Sequence, residues 1–319
     1  MSTRIAGQQT SAEPDLGERW MFLDGEFVQE RDVRIGIGTH ALHNGTGVIE
    51  GIRAYWNAGR QQLYLLEVLA HYQRLHRSAR IVRMTVPESP ERLVEVTQEL
   101  LRRNECREDT YIRPIFFKCQ PLMAMNLRAM TDSLAVHTYP LGPFHDQAVS
   151  AMVSSWRRVP DSSIPSRAKT TAAYMNSALA KTEAVVNGFD EAIMLTQDGN
   201  VCESSTCNIF VLKVGEFLTP RVTDDILEGI TRRELITMLR DEGAVPVVER
   251  SIDRTELYVA EEMFICGTGY GVVPIVSVDK TPVGDGTIGP RTRALTERYQ
   301  RAVRGEEDRY AHWLLPVHP

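Results

Sequence analysis

The chain has 319 residues, 43% of them hydrophobic and 24% charged, which is enough to bury the cores of two domains. Its formal charge of −6, from 36 basic and 42 acidic side chains, offers no broad positive field for a phosphate backbone, so small molecules are expected as partners and nucleic acid is not. No apolar run reaches the ~18 residues of a membrane span, and the opening "MSTRIAGQQTSAEPDLGER" lacks the apolar core of a secretory signal, so a cytoplasmic location is expected.

Residues 1–18 read as a disordered polar lead, after which "WMFLDGEFV" places two short apolar runs around Asp24-Gly25, a hairpin signal. Residues 65–82 follow a helical period, and a second helix is expected over 89–104, with Ser89 as N-cap and Pro90 in the first turn. Strands are predicted at 111–117 and 133–139. "YPLGPFHD", with two prolines and a glycine, marks a linker at 141–148 between a small N-terminal α/β domain (19–140) and a larger C-terminal domain (149–319). Beyond it "AVSAMVSSW" reads as a strand, 172–187 as a helix, 191–196 as a strand, and "NIFVLKVGEFLTP" as a hairpin turning at Val214-Gly215. Helices are expected near 231–242 and 290–304. Helices and strands do not alternate one for one, so the pattern predicts α+β with mixed sheets in both halves. The five cysteines, 106, 119, 202, 207 and 266, are odd in number and never spaced as a close C-x-x-C pair. They read as reduced core or strand residues, with neither a disulfide framework nor a metal site.

Only five lysines, 118, 169, 181, 213 and 280, stand against 31 arginines. An arginine stays protonated, whereas a lysine amine can lose its proton and condense with a carbonyl, so any amine nucleophile is one of these five. Lys169 alone lies in a loop between strand and helix among small residues, although by itself it reads more readily as a surface lysine. In "ILEGITRREL", Thr231 and Glu234 have the spacing of a capping box, and Gly229 lets a ligand approach a helix N-terminus, a weak anion-site signal. Glu203 interrupts a β-like run, where it could hold a protonated ring nitrogen or sit at a sheet edge in solvent. Alternation puts Tyr111 and Arg113 on one face of an apolar strand, where the arginine reaches solvent or awaits an anion such as a substrate carboxylate. An amine, a helix N-terminus, an acid and an arginine are together the parts of a pyridoxal 5'-phosphate site.

The chain resembles the branched-chain amino acid aminotransferases, class IV (fold type IV) pyridoxal-phosphate enzymes, over nearly its full length. The motifs are "HALHNGTGVIEGIRAY" (40–55), "HYQRLHRSARI" (71–81), "YIRP" (111–114), "AMVSSWRRVPDSSIPSRAKTTAAY" (151–174), "ESSTCNIF" (203–210), "ILEGITR" (226–232) and "CGTG" (266–269). The resemblance implies a two-domain fold like that of D-amino acid aminotransferase. It makes Lys169 the catalytic lysine that bonds the cofactor aldehyde and shuttles the substrate proton, and Tyr174 the partner of the cofactor's phenolic oxygen. Glu203 becomes the acid at the pyridine nitrogen, and Arg74, Ile230, Thr231 and Thr268 the phosphate ligands. Helical spacing alone sets Arg74 opposite the main apolar stripe, as a solvated residue; the resemblance sets it on the phosphate.

For the substrate, the resemblance implies carboxylate contacts from Tyr111, Arg113, Gly269 and Tyr270. The surrounding pocket is implied to hold Asn44, Ile49, Gly51, Leu141 and, from a neighbouring subunit, Met125. It implies a homodimer or larger homo-oligomer and ping-pong transfer between a branched-chain or other hydrophobic L-amino acid and 2-oxoglutarate. The pocket departs from the family pattern. Asn44 and Ile49 replace a tyrosine and a phenylalanine, "LMAM" (122–125) a "GMGV"-like loop, Leu141 and Phe144 an aromatic pair, and "GTGYG" the usual "GTAAE". A roomier, more polar pocket keeps open an (R)-amine or D-amino acid transaminase, and the scaffold also serves aminodeoxychorismate lyases. A non-catalytic cofactor-binding protein is the reading from a different class.

Overall fold

The computed structural model describes residues 18–319 apart from 122, 143–147 and 244. The expected polar lead (but for residue 18), Leu122 of "LMAM", and Phe144 with most of the expected linker therefore lie outside the described residues.

The first half holds β1 (Trp20–Leu23), β2 (Glu26–Gln29), α1 (His40–Asn44), β3 (Gly47–Ile49), β4 (Ile52–Asn57), β5 (Gln62–Leu66), α2 (Val68–Ile81), α3 (Pro90–Arg103), β6 (Thr110–Lys118) and β7 (Asp132–Pro140). The second holds β8 (Val149–Val153), α4 (Tyr174–Val186), β9 (Glu191–Leu195), β10 (Val201–Ser204), β11 (Asn208–Lys213), β12 (Glu216–Thr219), α5 (Ile230–Glu242), β13 (Val247–Glu249), β14 (Glu262–Gly267), β15 (Gly271–Val278), β16 (Thr281–Pro282), α6 (Pro290–Val303) and β17 (Leu314–Pro316).

Local chemistry explains most of these boundaries. Asp24 and Gly25 take φ of 47° and 97°, the geometry that a tight hairpin turn requires. Ser89 Oγ accepts the Arg92 N–H at 3.1 Å and Pro90 occupies the first turn, as the sequence predicts. The helix expected from residue 65 starts only at Val68. Leu65 and Leu66 pair with Ala54 of β4 and Leu314 of β17, and Glu67, at φ 47°, turns the chain before the helix. Four of the cysteines are buried, and Cys119, just past β6, is half-buried.

The first sheet runs β17-β5-β4-β6-β7-β1-β2, with β3 also paired to β6. Every described pairing in it is antiparallel, where the sequence reading expected a mixed sheet. The reason is topological: the long α2–α3 connection returns the chain not beside β5 but one strand over, next to β4. The second sheet runs β10-β9-β8-β15-β14-β11-β12-β13 and is mixed, since β8 pairs in parallel with both β9 and β15 and β12 with β13. With helices packed on both sheets the fold is α+β.

One core packs α2 and α3 on the first sheet through Tyr72, Leu75, Leu93, Leu100, Ile112 and Phe116. Another seats α5 and α6 on β11 and β14 and also takes in Tyr55 and Leu66 from the first sheet, so it fastens the two sheets to each other. Each large apolar side chain buried this way contributes about 1.5–3 kcal/mol. The apolar seam leaves a polar cavity between the sheets, floored by loops from both.

Candidate active site

That cavity has a volume of about 220 Å³, and Lys169 lies in its wall. The loop carrying Lys169 is pinned at both ends of the peptide. Its N–H donates to Ser78 Oγ of α2 at 3.1 Å, and its carbonyl accepts the Ile49 N–H at 2.9 Å. The lysine is thereby fixed to the first sheet although it precedes α4 of the second. Its Nζ lies 5.6 Å from the centroid of Tyr174. Burial pushes the Tyr174 phenol up, but the charge and hydrogen bond of Lys169, together with Arg113, carry it below its ordinary value.

At one end the cavity is lined by Arg74, Gly229, Ile230, Thr231 and Thr268. Arg74 is buried, contrary to the solvated position that helical spacing alone gave it. Glu50 explains why. Its carboxylate, wholly enclosed, accepts from Arg74 Nε at 2.6 Å and Nη2 at 2.8 Å, and makes a 2.8 Å hydrogen bond with His71 Nδ1. Burial alone would raise the Glu50 carboxyl, but Arg74 and His71 outweigh it and hold it well below the usual range. Arg74 Nη1 also donates to the Glu228 carbonyl at 2.9 Å, which ties α2 to the start of α5. The predicted capping box is not formed. α5 begins at Ile230, with Gly229 as N-cap and no side-chain cap, so Thr231 is already inside the helix and Glu234 points into the core near Tyr299. The first turn of α5 is thus left for a ligand rather than closed by its own side chains.

Glu203 on β10 is buried, not solvated at the sheet edge. Its Oε2 accepts from Asn208 Nδ2 and from the Leu227 N–H, each at 3.1 Å, and Arg158 Nη2 stands 3.0 Å from Oε1. Burial raises the carboxyl, and the guanidinium of Arg158, the Leu227 N–H and Lys169 offset part of that rise.

Opposite, Tyr111 and Arg113 lie on one face of β6 as alternation predicts, and Arg113 Nη2 donates to the Tyr111 hydroxyl at 2.9 Å. Gly51 faces them, and a Cβ there would collide with that hydroxyl. The turn between β14 and β15 brings Thr268, Gly269 and Tyr270 to the same wall. Arg53 holds the turn by donating to the Gly269 carbonyl at 2.9 Å and to those of Leu141 and Gly142 at 2.7 Å. The remaining predicted pocket residues are placed elsewhere. Ile49 is buried beside the lysine loop and does not line the cavity; Leu141 meets the site through its carbonyl, by way of Arg53; Asn44 lines a neighbouring apolar hollow; and Met125 is 76% exposed.

The amino-transferase class IV family model matches residues 47–278, most of the chain and every wall of this cavity. The chain belongs to the class IV aminotransferases. It is 48% identical over 299 residues to a protein of Aquifex aeolicus (strain VF5) described as a probable branched-chain-amino-acid aminotransferase, covering 93% of this chain and 96% of the other. Among solved structures, the branched-chain aminotransferase of Thermoproteus uzoniensis with norvaline matches at 40% identity and TM-score 0.91, over 95% of this chain and all of that one. The branched-chain amino acid aminotransferase of Thermobaculum terrenum in its PLP form matches at 32% identity and the same TM-score and coverage. The fold is therefore that of the fold type IV enzymes, and pyridoxal phosphate is the cofactor.

The residues present fit that cofactor. Two hydroxyls on the cavity wall, Ser166 Oγ and Thr170 Oγ1, are buried without a hydrogen-bond partner among the described residues. At Gly229 any side chain would collide with Asn208 Oδ1, so only glycine lets Asn208 pack against the start of α5, whose first-turn N–H groups have no side-chain cap. Sequence reasoning did not single out Glu50, His71, Arg158 or Arg53. His71 and Arg74, three apart on one helix face, and Glu50, an acid inside the apolar run "GVIEGI", were the signals available.

Proposed function

We propose that this aminotransferase moves the amino group between a branched-chain or other hydrophobic L-amino acid and 2-oxoglutarate, by a ping-pong mechanism in which both half-reactions share one site. The observation that carries this is the Arg113–Tyr111 pair in the wall of the Lys169 cavity, a cation with hydroxyl support placed for a carboxylate.

When bound, the cofactor supplies an electron sink for the electrons released at the substrate α-carbon. Lys169 Nζ would hold its aldehyde and, as a free amine, would take the proton from the substrate α-carbon. Arg74, kept in place by Glu50, binds the phosphate with the amides of Ile230 and Thr231 and the hydroxyl of Thr268. Glu203, with Arg158 3.0 Å from it, would hold the ring nitrogen, and the Tyr174 phenol, carried below its ordinary value by Lys169, would hold the phenolic oxygen. Arg113 and Tyr111 orient the substrate carboxylate, and the Gly269–Tyr270 backbone contributes the second carboxylate contact. Gly51 shapes the wall beside the substrate side chain, Ile49 supports it from behind by clasping the Lys169 carbonyl, and Leu141 acts through Arg53.

The proposal extends to the assembly. An open apolar hollow of about 910 Å³, lined by Met21, Ile35, Leu42, Phe117 and Met175, adjoins the site, and Met123 and Met125 stand exposed beside α1. A second copy seated there would cover this surface and bring its Met125 toward the first copy's pocket, which supports a homodimer. Residues 19–140 and 149–319 form the two domains, with β17 crossing back onto the first, and the enzyme works in the cytoplasm.

Absorbance spectroscopy tests the reading. The visible band of the lysine-bound cofactor is expected to bleach on adding L-leucine without an oxo acid, and to return on adding 2-oxoglutarate. Lys169→Ala is expected to abolish both changes. A band that responds to D-leucine or an (R)-amine and not to L-leucine would overturn the substrate assignment.

A further inference from the structure

We propose that a hollow between the C-terminal end of α2 and the far ends of β6 and β7 is a second anion site, one that takes a small multivalent phosphate-type anion and lies outside the cofactor cavity. The hollow has a volume of about 370 Å³ and is lined by Arg80, Arg83, Thr85, Lys118, Arg128 and Asp132, with Met84 and Met130 as its apolar part. Four cations from three stretches of chain therefore converge with a single carboxylate.

That carboxylate is already engaged. Lys118 is 2% exposed, its Nζ stands 2.6 Å from Asp132 Oδ1, and it donates to the Met130 carbonyl at 3.3 Å. The buried pair forms a neutral floor, and three guanidinium groups remain around the rim. None of Arg80, Arg83 and Arg128 has an ion pair or side-chain hydrogen bond among the described residues, in a chain whose acidic side chains outnumber its basic ones by 42 to 36. The helix dipole accounts for Arg80, which sits in the last turn of α2. It does not account for Arg128, which comes from the 3-10 turn Leu127–Ala129 across the hollow.

Arg83 is the left-handed residue that closes α2, at φ 64°, with the Met84 N–H donating to the Ala79 carbonyl at 2.8 Å. This sets Arg83 on the rim directly after the helix, its N–H donating to the Arg80 carbonyl at 3.2 Å. Three cations on one hollow, without partners among the described residues, repel one another, and an anion among them reverses the sign of that interaction. Recognition rests on charge and on the forked guanidinium donors, which suit phosphate oxygens; the two methionines give no flat surface on which a base or ring could be gripped from both sides.

The placement links this site to the chemistry. α2 also carries Arg74 and Ser78 to the cofactor cavity, and β6 carries Tyr111 and Arg113. An anion bridging the end of α2 to the end of β6 would couple the two elements that build the phosphate and carboxylate ends of the active site.

Isothermal titration of the holoenzyme with pyrophosphate, at fixed ionic strength, tests the proposal. One saturable binding event per chain is expected, weakened at least tenfold by the double variant Arg83→Glu, Arg128→Glu, with the visible spectrum of the bound cofactor unchanged. Arg128→Ser, which removes one exposed side chain, is expected to weaken binding several-fold and decides the matter if the double variant does not fold. Inorganic phosphate and adenosine monophosphate then separate the sources of the anion: similar affinities identify the free ion, and a tenfold preference for the nucleotide identifies a phosphorylated metabolite. The absence of saturable heat, or unchanged affinity in the variants, would overturn the site. So would charge reversal that shifts only self-association of the chain, because the rim arginines would then be pairing with a second copy.

Discussion

Replacing Glu50 by Gln isolates the ion cluster that positions Arg74. The substitution keeps the shape of the side chain but removes the charge that two Arg74 donors and His71 share, and it strands a guanidinium that is 5% exposed. Breaking a buried pair by removing one partner costs about 3–5 kcal/mol. At about 2.1 cal/mol/K of unfolding entropy per residue over the 319-residue chain, this corresponds to a fall in Tm of roughly 4–8 °C. The assay is thermal unfolding of the apoprotein, so that loss of cofactor does not contribute. The double variant Glu50→Gln, Arg74→Met, which removes both charges, is expected to regain much of the loss. The pH dependence gives a separate check. Because Glu50 is held below its ordinary range in the fold, its contribution is complete above the unfolded carboxyl pKa of ~4.3 and is lost as pH falls below that. The variant should therefore lose less stability than the parent between about pH 4.5 and 3. A Tm drop of less than about 2 °C, or a double variant less stable than the single one, would refute the claim that Glu50 is the counter-charge holding Arg74.

Three further outcomes follow from the geometry. Arg113→Met removes a charged donor from the proposed carboxylate clamp, worth about 1.5–3 kcal/mol, so kcat/KM for 2-oxoglutarate should fall at least ~10-fold while cofactor binding measured by dialysis is unchanged. Gly229→Ala drives a Cβ into Asn208 Oδ1 and displaces a side chain that bonds both Glu203 and the Leu227 carbonyl, so the dissociation constant for the cofactor should rise by ~10-fold or more, read by dialysis against the apoprotein. Glu234 is pushed up to about 8 by burial and then by the charge of Glu67, so it is neutral in the fold at pH 7; its contribution is complete below ~4.3 and is lost as pH rises toward 8. Tm profiles should accordingly show Glu234→Gln gaining on the parent between about pH 4.5 and 8 and the gap levelling above that.

Signals confined to a few neighbouring residues were legible in the sequence. The Asp24-Gly25 turn, the Ser89 cap, the alternation that puts Tyr111 and Arg113 on one face, and the hairpin at Val214-Gly215 are all found where short-range chemistry puts them. Lys169 could be narrowed to one of five positions by elimination, but which helix and strand clasp its peptide could not be read, because Ser78 and Ile49 are distant in sequence. The same holds for Arg74, whose helical period gave the wrong exposure. What buries it is a carboxylate from the β3–β4 connection and a carbonyl from the start of α5. Thr231 misled for the opposite reason. Its spacing to Glu234 is right for a cap, yet the N-cap is Gly229, two residues earlier, and Glu234 is drawn into the core against Tyr299. Sheet direction was not legible either, since it depends on which strand each long connection returns to.

The return of β17 to the first sheet bears on how the protein can be made. Leu66 waits for Leu314, so while the ribosome is still producing the second half, β5 presents the unpaired flank of "QLYLL" to whatever lies nearby. Such a flank invites pairing with another nascent chain. The short closing strand, three residues long, thus acts as a late seal on the earliest part of the molecule. Production yield, more than activity per folded molecule, should be the quantity most sensitive to changes between Leu314 and Pro316.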